Sequence, residues 1–226
     1  MASFIHIEDG KLIHCVLSSH NGPTVFKIPE CVREICEGAF NIWFLDDNLQ
    51  ALMEEYEYES DNWDCFCHIE TIEIGKNVEK IQQAAFCNIP NLRTFIVDKD
   101  CKCACVKDDM LFSYDMKTLI CVPPSKTGDV ICIPQGVTII GDNAFEGNYY
   151  YSNAHHRKVI IPESVIRIDN DAFYTGDIDE ILIPGTNIQF GERVFKDYDG
   201  VVVTPVGSKA WEYAVANNVK TKGMEI

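Results

Sequence analysis

Ile131-Cys-Ile-Pro-Gln-Gly-Val-Thr-Ile-Ile-Gly-Asp-Asn-Ala-Phe145 is the stretch that decides the fold, because a version of it occurs five times in the chain. When the copies are aligned on the isoleucine before the proline or glycine, a phenylalanine follows twelve residues later in every copy. The aligned pairs are Ile28 and Phe40, Ile74 and Phe86, Ile133 and Phe145, Ile161 and Phe173, and Ile183 and Phe195. Such constant spacing indicates a structural repeat.

Each copy opens with an apolar-x-apolar triplet, which predicts a short strand whose first and third side chains point inward. Proline or glycine then ends the strand, since proline has no N–H for a ladder. A second apolar residue recurs seven positions after the aligned isoleucine, at Ile35, Ile81, Ile140, Ile168 and Phe190. A unit of about 22 residues cannot bury its own apolar face, so the copies must stack as a solenoid with the phenylalanines in a central row.

The pattern I-x-I-P-x-x-V-x-x-I-x-x-x-A-F resembles the BspA-like bacterial leucine-rich repeat, the type also known from Treponema pallidum. The resemblance covers most of the chain except residues 41–68. It implies an α/β solenoid, a right-handed superhelix with a parallel sheet on one face, closed by an N-terminal β-hairpin cap and a C-terminal helical cap. Members of this family are generally non-catalytic binding or adhesion proteins without shared catalytic residues, so we expect no enzyme.

One domain accommodates the whole chain, residues 1–226, because a solenoid of this length is ordinary. The alternating residues around Asp9-Gly10 predict a hairpin, and Ser208 is a candidate N-cap of a closing helix. Helical spacing and eight acidic residues mark an insertion after the first copy. The expected parts are a hairpin cap at 1–22, an acidic helical insertion at 41–68, a hairpin insertion at 98–125 and a C-terminal cap at 201–226.

Charge and composition exclude two classes of partner. Acidic residues outnumber basic ones 35 to 19, which gives a net charge of −16 and disfavours nucleic acid. No stretch reaches the roughly 20 apolar residues of a membrane span, so membrane insertion is not expected. The lack of a signal segment at the N-terminus and the odd total of 11 cysteines predict a cytoplasmic location. The family resemblance leaves the cell surface or secretion as the alternative.

The cysteines supply the strongest candidate for metal chemistry. Cys101, Cys103 and Cys105 would lie on one side of an extended strand, about 7 Å apart, which is too far for one zinc ion. The chain has no C-x2-C pair, so no metal or cofactor is expected, and thiolate metal binding remains an alternative. No local signature of a thiol protease surrounds any cysteine.

The candidate binding residues are the middle residues of the strand triplets, which should face outward. The first two, Lys27 and Glu73, are charged, and the next five are apolar: Ile96, Cys132, Ile160, Leu182 and Val202. Strands stacked in register would join these five into one exposed stripe, and large exposed apolar patches mark binding sites. We therefore predict a protein or peptide partner on the sheet face. The alternatives are a structural, self-associating repeat protein, and a stripe that reflects β-propensity alone or is covered by a loop.

Overall fold

The computed structural model describes residues 4–16, 24–40, 69–87, 89–146, 156–174 and 178–224. The expected helical insertion at 41–68 lies outside these residues. The strands of the described part are β1 (Phe4–Glu8), β2 (Lys11–Val16), β3 (Val25–Lys27), β4 (Glu34–Ile35), β5 (Thr71–Ile74), β6 (Lys80–Ile81), β7 (Thr94–Val97), β8 (Ala104–Lys107), β9 (Met110–Ser113), β10 (Thr118–Cys121), β11 (Val130–Cys132), β12 (Ile139–Ile140), β13 (His156–Ile160), β14 (Arg167–Ile168), β15 (Ile178–Leu182), β16 (Gln189–Phe190), β17 (Val201–Thr204) and β18 (Lys220–Gly223). They are joined by one described helix, α1 (Lys209–Ala216).

The strand triplets of the repeats form two parallel sheets, which together we call the front face. One contains β3, β5 and β7, and the other contains β11, β13, β15, β17 and β18. The apolar residues seven positions further on form a second set of short strands, which we call the back face: β1-β2-β4-β6 and β8-β9-β10-β12-β14-β16. The family resemblance implies a parallel sheet on one face, and the structure adds a second set of paired strands. The repeats pair there in parallel through two-residue strands.

The copy that contains β13 and β14 shows how the residues build one turn. Ile161 is fully buried, and its N–H donates to Leu182 O of the next copy at 3.0 Å. Pro162 ends the strand, and the chain reaches β14 on the back face, where Ile168 is buried. Phe173 then fills the interior between the two faces. The repeat therefore buries its apolar side chains only because its neighbours cover them.

A left-handed backbone corner occurs at the same position in every copy, two residues before the phenylalanine. The corner residues have φ between 50° and 62°, and they are Gly38, Ala84, Asn143, Asp171 and Arg193. Only glycine takes this conformation without cost, and asparagine or aspartate tolerates it better than other residues. The sequence pattern gave no sign of the corner, because five different residue types fill it.

The interior is divided into two apolar clusters. Stacked rings join Phe40 to Phe86 at 5.8 Å in one cluster, and Phe173 to Phe145 at 4.6 Å and to Phe195 at 5.7 Å in the other. Within the described residues, the expected single row is thus two rows. We call the part built on β3, β5 and β7 the N-terminal block, and the part built on β11, β13, β15, β17 and β18 the C-terminal block.

A three-stranded antiparallel meander, β8-β9-β10, separates the two blocks. Met110 and Phe112 of β9 belong to the C-terminal cluster, whereas Leu111 between them belongs to the N-terminal cluster. Successive side chains of a strand point to opposite faces, so β9 is buried on both sides. The meander is therefore a shared wall between the two interiors.

At the C-terminal end, α1 packs on the last repeat. Ser208 Oγ accepts from Trp211 N at 3.1 Å, which satisfies a free N–H of the first helical turn. The ring of Tyr213 stacks on Phe190 at 4.6 Å, and its hydroxyl donates to Gly191 O at 3.0 Å. The helix thus covers apolar surface of β16 that no further repeat covers in the described chain.

Candidate functional site

The candidate site is the outward side of the front sheet in the C-terminal block. The register places Cys132 opposite Ile160, and Ile160 opposite Leu182. Cys132 is exposed, and the other two side chains are half-buried. Residues in register on parallel strands lie side by side, so these three side chains form a continuous apolar row across three strands.

The expected outward position of Val202 is wrong. Val202 pairs with Ile181, an inward residue, and is fully buried; its neighbour Val203 takes the register position beside Leu182 and is 8% exposed. The triplet of β17 is Val202-Val203-Thr204, because Thr204 precedes Pro205 as isoleucine precedes proline in other copies. The repeat pattern is hard to recognise here because Thr204 stands where other copies have isoleucine. Its buried hydroxyl forms a hydrogen bond with the Ser208 hydroxyl at 3.0 Å.

The expected continuity of the stripe is also wrong. Ile96 is 52% exposed on β7, but β7 ends the three-stranded sheet and is not paired with β11. The chain between them enters the meander and returns through Val122-Pro123-Pro124, where two successive prolines offer no N–H to a ladder. Ser125 N then donates to Leu92 O at 2.9 Å beside the start of β7. Ile96 therefore belongs to a separate surface.

A second row lies two residues earlier on the same strands. Lys158 pairs in register with Val130 on one side and with Glu180 on the other. Lys158 Nζ lies 2.5 Å from Glu180 Oε1, and both side chains are about one-third exposed. Val130, which sequence reasoning missed, is 49% exposed. The candidate surface thus consists of the apolar row and, beside it, the ion pair of Lys158 and Glu180.

Two of the three corresponding positions of the N-terminal block carry charge, and the third is Ile96. Lys27 is exposed, and its Nζ lies 3.8 Å from Glu30 Oε1. Glu73 pairs in register with Lys27 and with Ile96. The two blocks therefore present different outward surfaces on the same type of strand.

The thiols of the second candidate cluster lie closer together than the sequence predicts. Cys101 Sγ is 3.5 Å from Cys103 Sγ, so the expected spacing of about 7 Å is wrong for this pair. Cys105 Sγ instead contacts Met116 Sδ at 3.2 Å. Across the described ranges, no group of three or more His, Cys, Asp and Glu side chains is arranged to hold a metal ion.

Three other cysteines, Cys15, Cys87 and Cys121, are buried. Burial raises the pKa of the Cys15 thiol to about 12, and burial likewise raises the pKa values of Cys87 and Cys121. Beside Cys87, burial raises the pKa of the Glu146 carboxyl, and hydrogen bonds from Cys87 and Asn143 partly offset that rise. An activated cysteine needs a lowered pKa, so these three thiols are poor nucleophiles.

In the part of the chain that the structure describes, no helix is both long and apolar enough to cross a membrane.

Comparison with known structures gives the fold. A leucine-rich repeat protein from Eubacterium ventriosum ATCC 27560 is 20% identical, with a TM-score of 0.59 over 80% of this chain and 42% of that one. The pneumococcal vaccine antigen PcpA is 17% identical, with a TM-score of 0.52 over 80% of this chain and 50% of that one. The chain thus spans half or less of the length of these two proteins.

A comparison with curated proteins gives no match. The sequence profile described as "BspA type Leucine rich repeat region" matches six copies, over residues 19–121 and 127–201. These ranges cover most of the chain and contain the front strands β3, β5, β7, β11, β13 and β15. The chain belongs to the BspA-type leucine-rich repeat family.

Proposed function

We propose that the protein is a non-enzymatic binding module and that the front sheet of its C-terminal block receives a protein or peptide partner. The single observation that carries the proposal is the apolar row of Cys132, Ile160 and Leu182 on the open side of a parallel sheet. Solvent-facing sheet positions are ordinarily polar, as Lys27 and Glu73 are in the N-terminal block. An apolar row at such positions costs solubility unless a partner covers it.

The chemistry of the row limits the partner. Three adjacent apolar side chains and the exposed Val130 favour a partner that presents aliphatic or aromatic side chains. Lys158 and Glu180 already neutralise each other, so the row offers no single charge for a phosphate or carboxylate group. The net charge of −16 further disfavours acidic partners.

Partner capture with a paired variant tests the proposal. The wild-type chain and Ile160→Asp/Leu182→Asp are used as baits in lysate of the source organism, and the captured proteins are read by mass spectrometry. Both replaced side chains are half-buried at the sheet surface, so the variant is expected to fold, and circular dichroism checks this. A protein captured by wild type and reduced at least tenfold with the variant supports the surface.

Ile166→Asp is the matched control, because Ile166 is 60% exposed and lies just before β14 on the way to the back face. This control introduces one carboxylate in place of an exposed apolar side chain outside the proposed surface, where the paired variant introduces two. Equal loss of capture with Ile166→Asp, or full capture with the paired variant, contradicts the assignment. Light scattering of the same three proteins at several concentrations tests the alternative, in which the apolar row joins copies of the chain.

The cytoplasmic location stays a prediction. It depends on the sequence features given above. Fractionation of the source cells with an antibody to the chain decides between the cytoplasm and the cell surface, which is the alternative that the family resemblance supports.

A further inference from the structure

Two cysteines at the entrance of the meander form a close dithiol pair. Cys101 Sγ and Cys103 Sγ are 3.5 Å apart, with Lys102 between the two residues. The pair lies outside the proposed binding surface and outside the described strands, since β8 begins at Ala104. A turn rather than an extended segment therefore brings the sulfurs together.

The backbone on the Cys101 side is held by a tight turn. Cys101 N donates to Asp98 O at 2.9 Å, and Asp100 N donates to Asp98 Oδ1 at 2.8 Å. The Asp98 side chain thus mimics a backbone turn, as aspartate commonly does. Cys101 itself is 1% exposed and belongs to the N-terminal apolar cluster.

The backbone on the Cys103 side is held by the meander. Tyr114 N donates to Cys103 O at 3.1 Å, which continues the pairing of β8 and β9 by one residue. Lys102 Nζ lies 5.4 Å from the centre of the Tyr114 ring, so the side chain of the intervening residue also contacts the residue that follows β9. Both thiols are therefore positioned by neighbours that do not depend on a bond between them.

The two thiols differ in access. Cys103 is half-buried and reachable from solvent, whereas Cys101 lies behind it. Burial, and then the hydrogen bond with Cys101, raises the pKa of the Cys103 thiol to about 12. Cys103 is therefore a thiol rather than a thiolate at neutral pH, which makes it slow in exchange and unsuited to catalysis of disulfide transfer.

We propose that Cys101 and Cys103 form a redox site that closes to an intramolecular disulfide with a small disulfide oxidant of the glutathione class. The deprotonated Cys103 sulfur attacks one sulfur of the oxidant and releases the first small thiol. Cys101 then loses its proton, attacks Cys103 Sγ of the mixed disulfide and releases the second small thiol. The protein loses two electrons and two protons, and the oxidant is reduced to two thiols.

Closure would fix the turn through which the chain enters the wall between the two apolar clusters. Cys103 packs against the N-terminal cluster, and Cys105, two residues on, packs against the C-terminal one. The redox state of the pair therefore acts at the junction of the two blocks.

Peptide mapping of the folded, full-length chain tests the site. The protein is equilibrated with mixtures of oxidised and reduced glutathione, quenched by alkylation and digested with trypsin. Trypsin cuts after Lys102, so a bond between Cys101 and Cys103 leaves residues 100–102 joined to residues 103–107. We expect this joined species, with Cys105 alkylated, to increase as the mixture becomes more oxidising.

Cys105 provides the internal control, because Cys103 and Cys105 have the same spacing as the proposed pair. A bond between those two would stay within residues 103–107, as a single peptide lighter by two hydrogens. The Cys105→Ser variant should retain the joined species, whereas Cys101→Ser and Cys103→Ser should each lose it. Loss of the joined species with Cys105→Ser would instead indicate a Cys101–Cys105 bond and overturn the assignment.

The same titration in urea separates a positioned pair from ordinary neighbours in sequence. If the fold holds the sulfurs together, the oxidised-to-reduced ratio at a given glutathione mixture is at least ~10-fold higher in the folded chain than in the unfolded chain. An equal or lower ratio in the folded chain, or separate alkylated peptides at every mixture, overturns the proposal. This readout is independent of partner capture, so the failure of one proposal is distinguishable from the failure of the other.

Discussion

The N-terminal and C-terminal blocks have similar apolar residues at the inward strand positions, but two of the three N-terminal strands carry a charged residue at the outward position. Phe26 and Ile72 on one side, and Val159 and Ile181 on the other, are all buried in register on parallel strands. The outward residues next to them change from Lys27 and Glu73 to Ile160 and Leu182. The repeat therefore determines only the inward half of each strand, and the outward half is free to acquire a binding function. The predictions below test how far this division holds, from the largest expected effect to the smallest.

The sharpest test compares two residues on neighbouring strands of the C-terminal block, one that faces the core and one that faces outward. Val202→Asp places a carboxylate in the core, and we expect it to cost on the order of 5 kcal/mol and to prevent stable folding. Leu182→Asp changes a half-buried outward residue, and we expect about 1 kcal/mol or less for it. Urea unfolding followed by circular dichroism measures both. A folded Val202→Asp variant would show that the register of β17 is incorrect.

A matched pair of phenylalanine variants tests whether the blocks are separate in energy as well as in surface. Phe40 and Phe173 are both fully buried, one in each apolar cluster. We expect Phe40→Ala and Phe173→Ala each to destabilise the protein by about 3–5 kcal/mol, through lost burial and the cavity left behind.

The shape of the unfolding curve then describes the junction. Because β9 contributes side chains to both clusters, we expect a single transition in both variants. Two transitions, with the earlier one confined to the block that carries the substitution, would contradict this expectation and make the blocks independent folding units.

Much of this fold was accessible from the sequence, and the failures have physical causes. The twelve-residue spacing correctly placed Phe40, Phe86, Phe145, Phe173 and Phe195 in the interior, because a large apolar side chain at a fixed position of every repeat is buried by the neighbouring repeats. The prediction for Val202 was wrong because three successive valines show no alternation of apolar and polar residues. Only the position of Pro205 indicates which of the valines face inward. The prediction of one continuous stripe was wrong because the path of a long insertion does not follow from the pattern of the repeats.

Part of the candidate site could also be predicted from the sequence. The outward positions of Cys132, Ile160 and Leu182 follow from alternation along a strand, and the structure places all three in one row. The closeness of Cys101 and Cys103 does not follow, because it depends on the Asp98 turn. Asp98 in front of a polar Lys-Asp pair was the available signal, since aspartate often opens such turns.

The left-handed corner offers a smaller test within the N-terminal block. The corner is filled by Asn143, Asp171 and Arg193 in the C-terminal block, and by Gly38 and Ala84 in the N-terminal one, with Ala84 at φ 52°. We expect Ala84→Gly to stabilise the protein by about 0.5–1 kcal/mol, since glycine adopts this conformation without steric cost.

Ala85→Gly is the control for that measurement, because it makes the same change one residue later, at a buried position without positive φ. We expect it to destabilise by about 1 kcal/mol, from lost packing and added chain entropy. Urea unfolding measures both variants. Equal changes in the free energy of unfolding would show that the left-handed corner does not account for the effect of Ala84→Gly.

The smallest expected effect concerns acid sensitivity on the back face of the N-terminal block. Hydrogen bonds from Gln82 Nε2 at 2.7 Å and Lys80 Nζ at 2.6 Å lower the pKa of the Glu34 carboxyl. The folded pKa lies below the unfolded one, so the resulting stability is present above the unfolded pKa and is lost as the pH falls through the folded value.

Glu34→Gln should therefore flatten the loss of stability in the acidic range, with the difference from wild type largest at neutral pH. Thermal unfolding between pH 7 and pH 3 measures this, and Glu79→Gln is the control for an exposed carboxylate of the same block. Parallel pH profiles for wild type and Glu34→Gln would show that the hydrogen bonds contribute nothing to stability.

The uniform register of the C-terminal block has a consequence for how such a chain changes over generations. Val159 pairs with Ile131 before it and with Ile181 after it, and the latter lies 22 residues further along. A recombination event that duplicates those 22 residues adds one turn whose two surfaces match both neighbours. Array length is therefore a trait that can change in one genetic step without disturbing the turns already present.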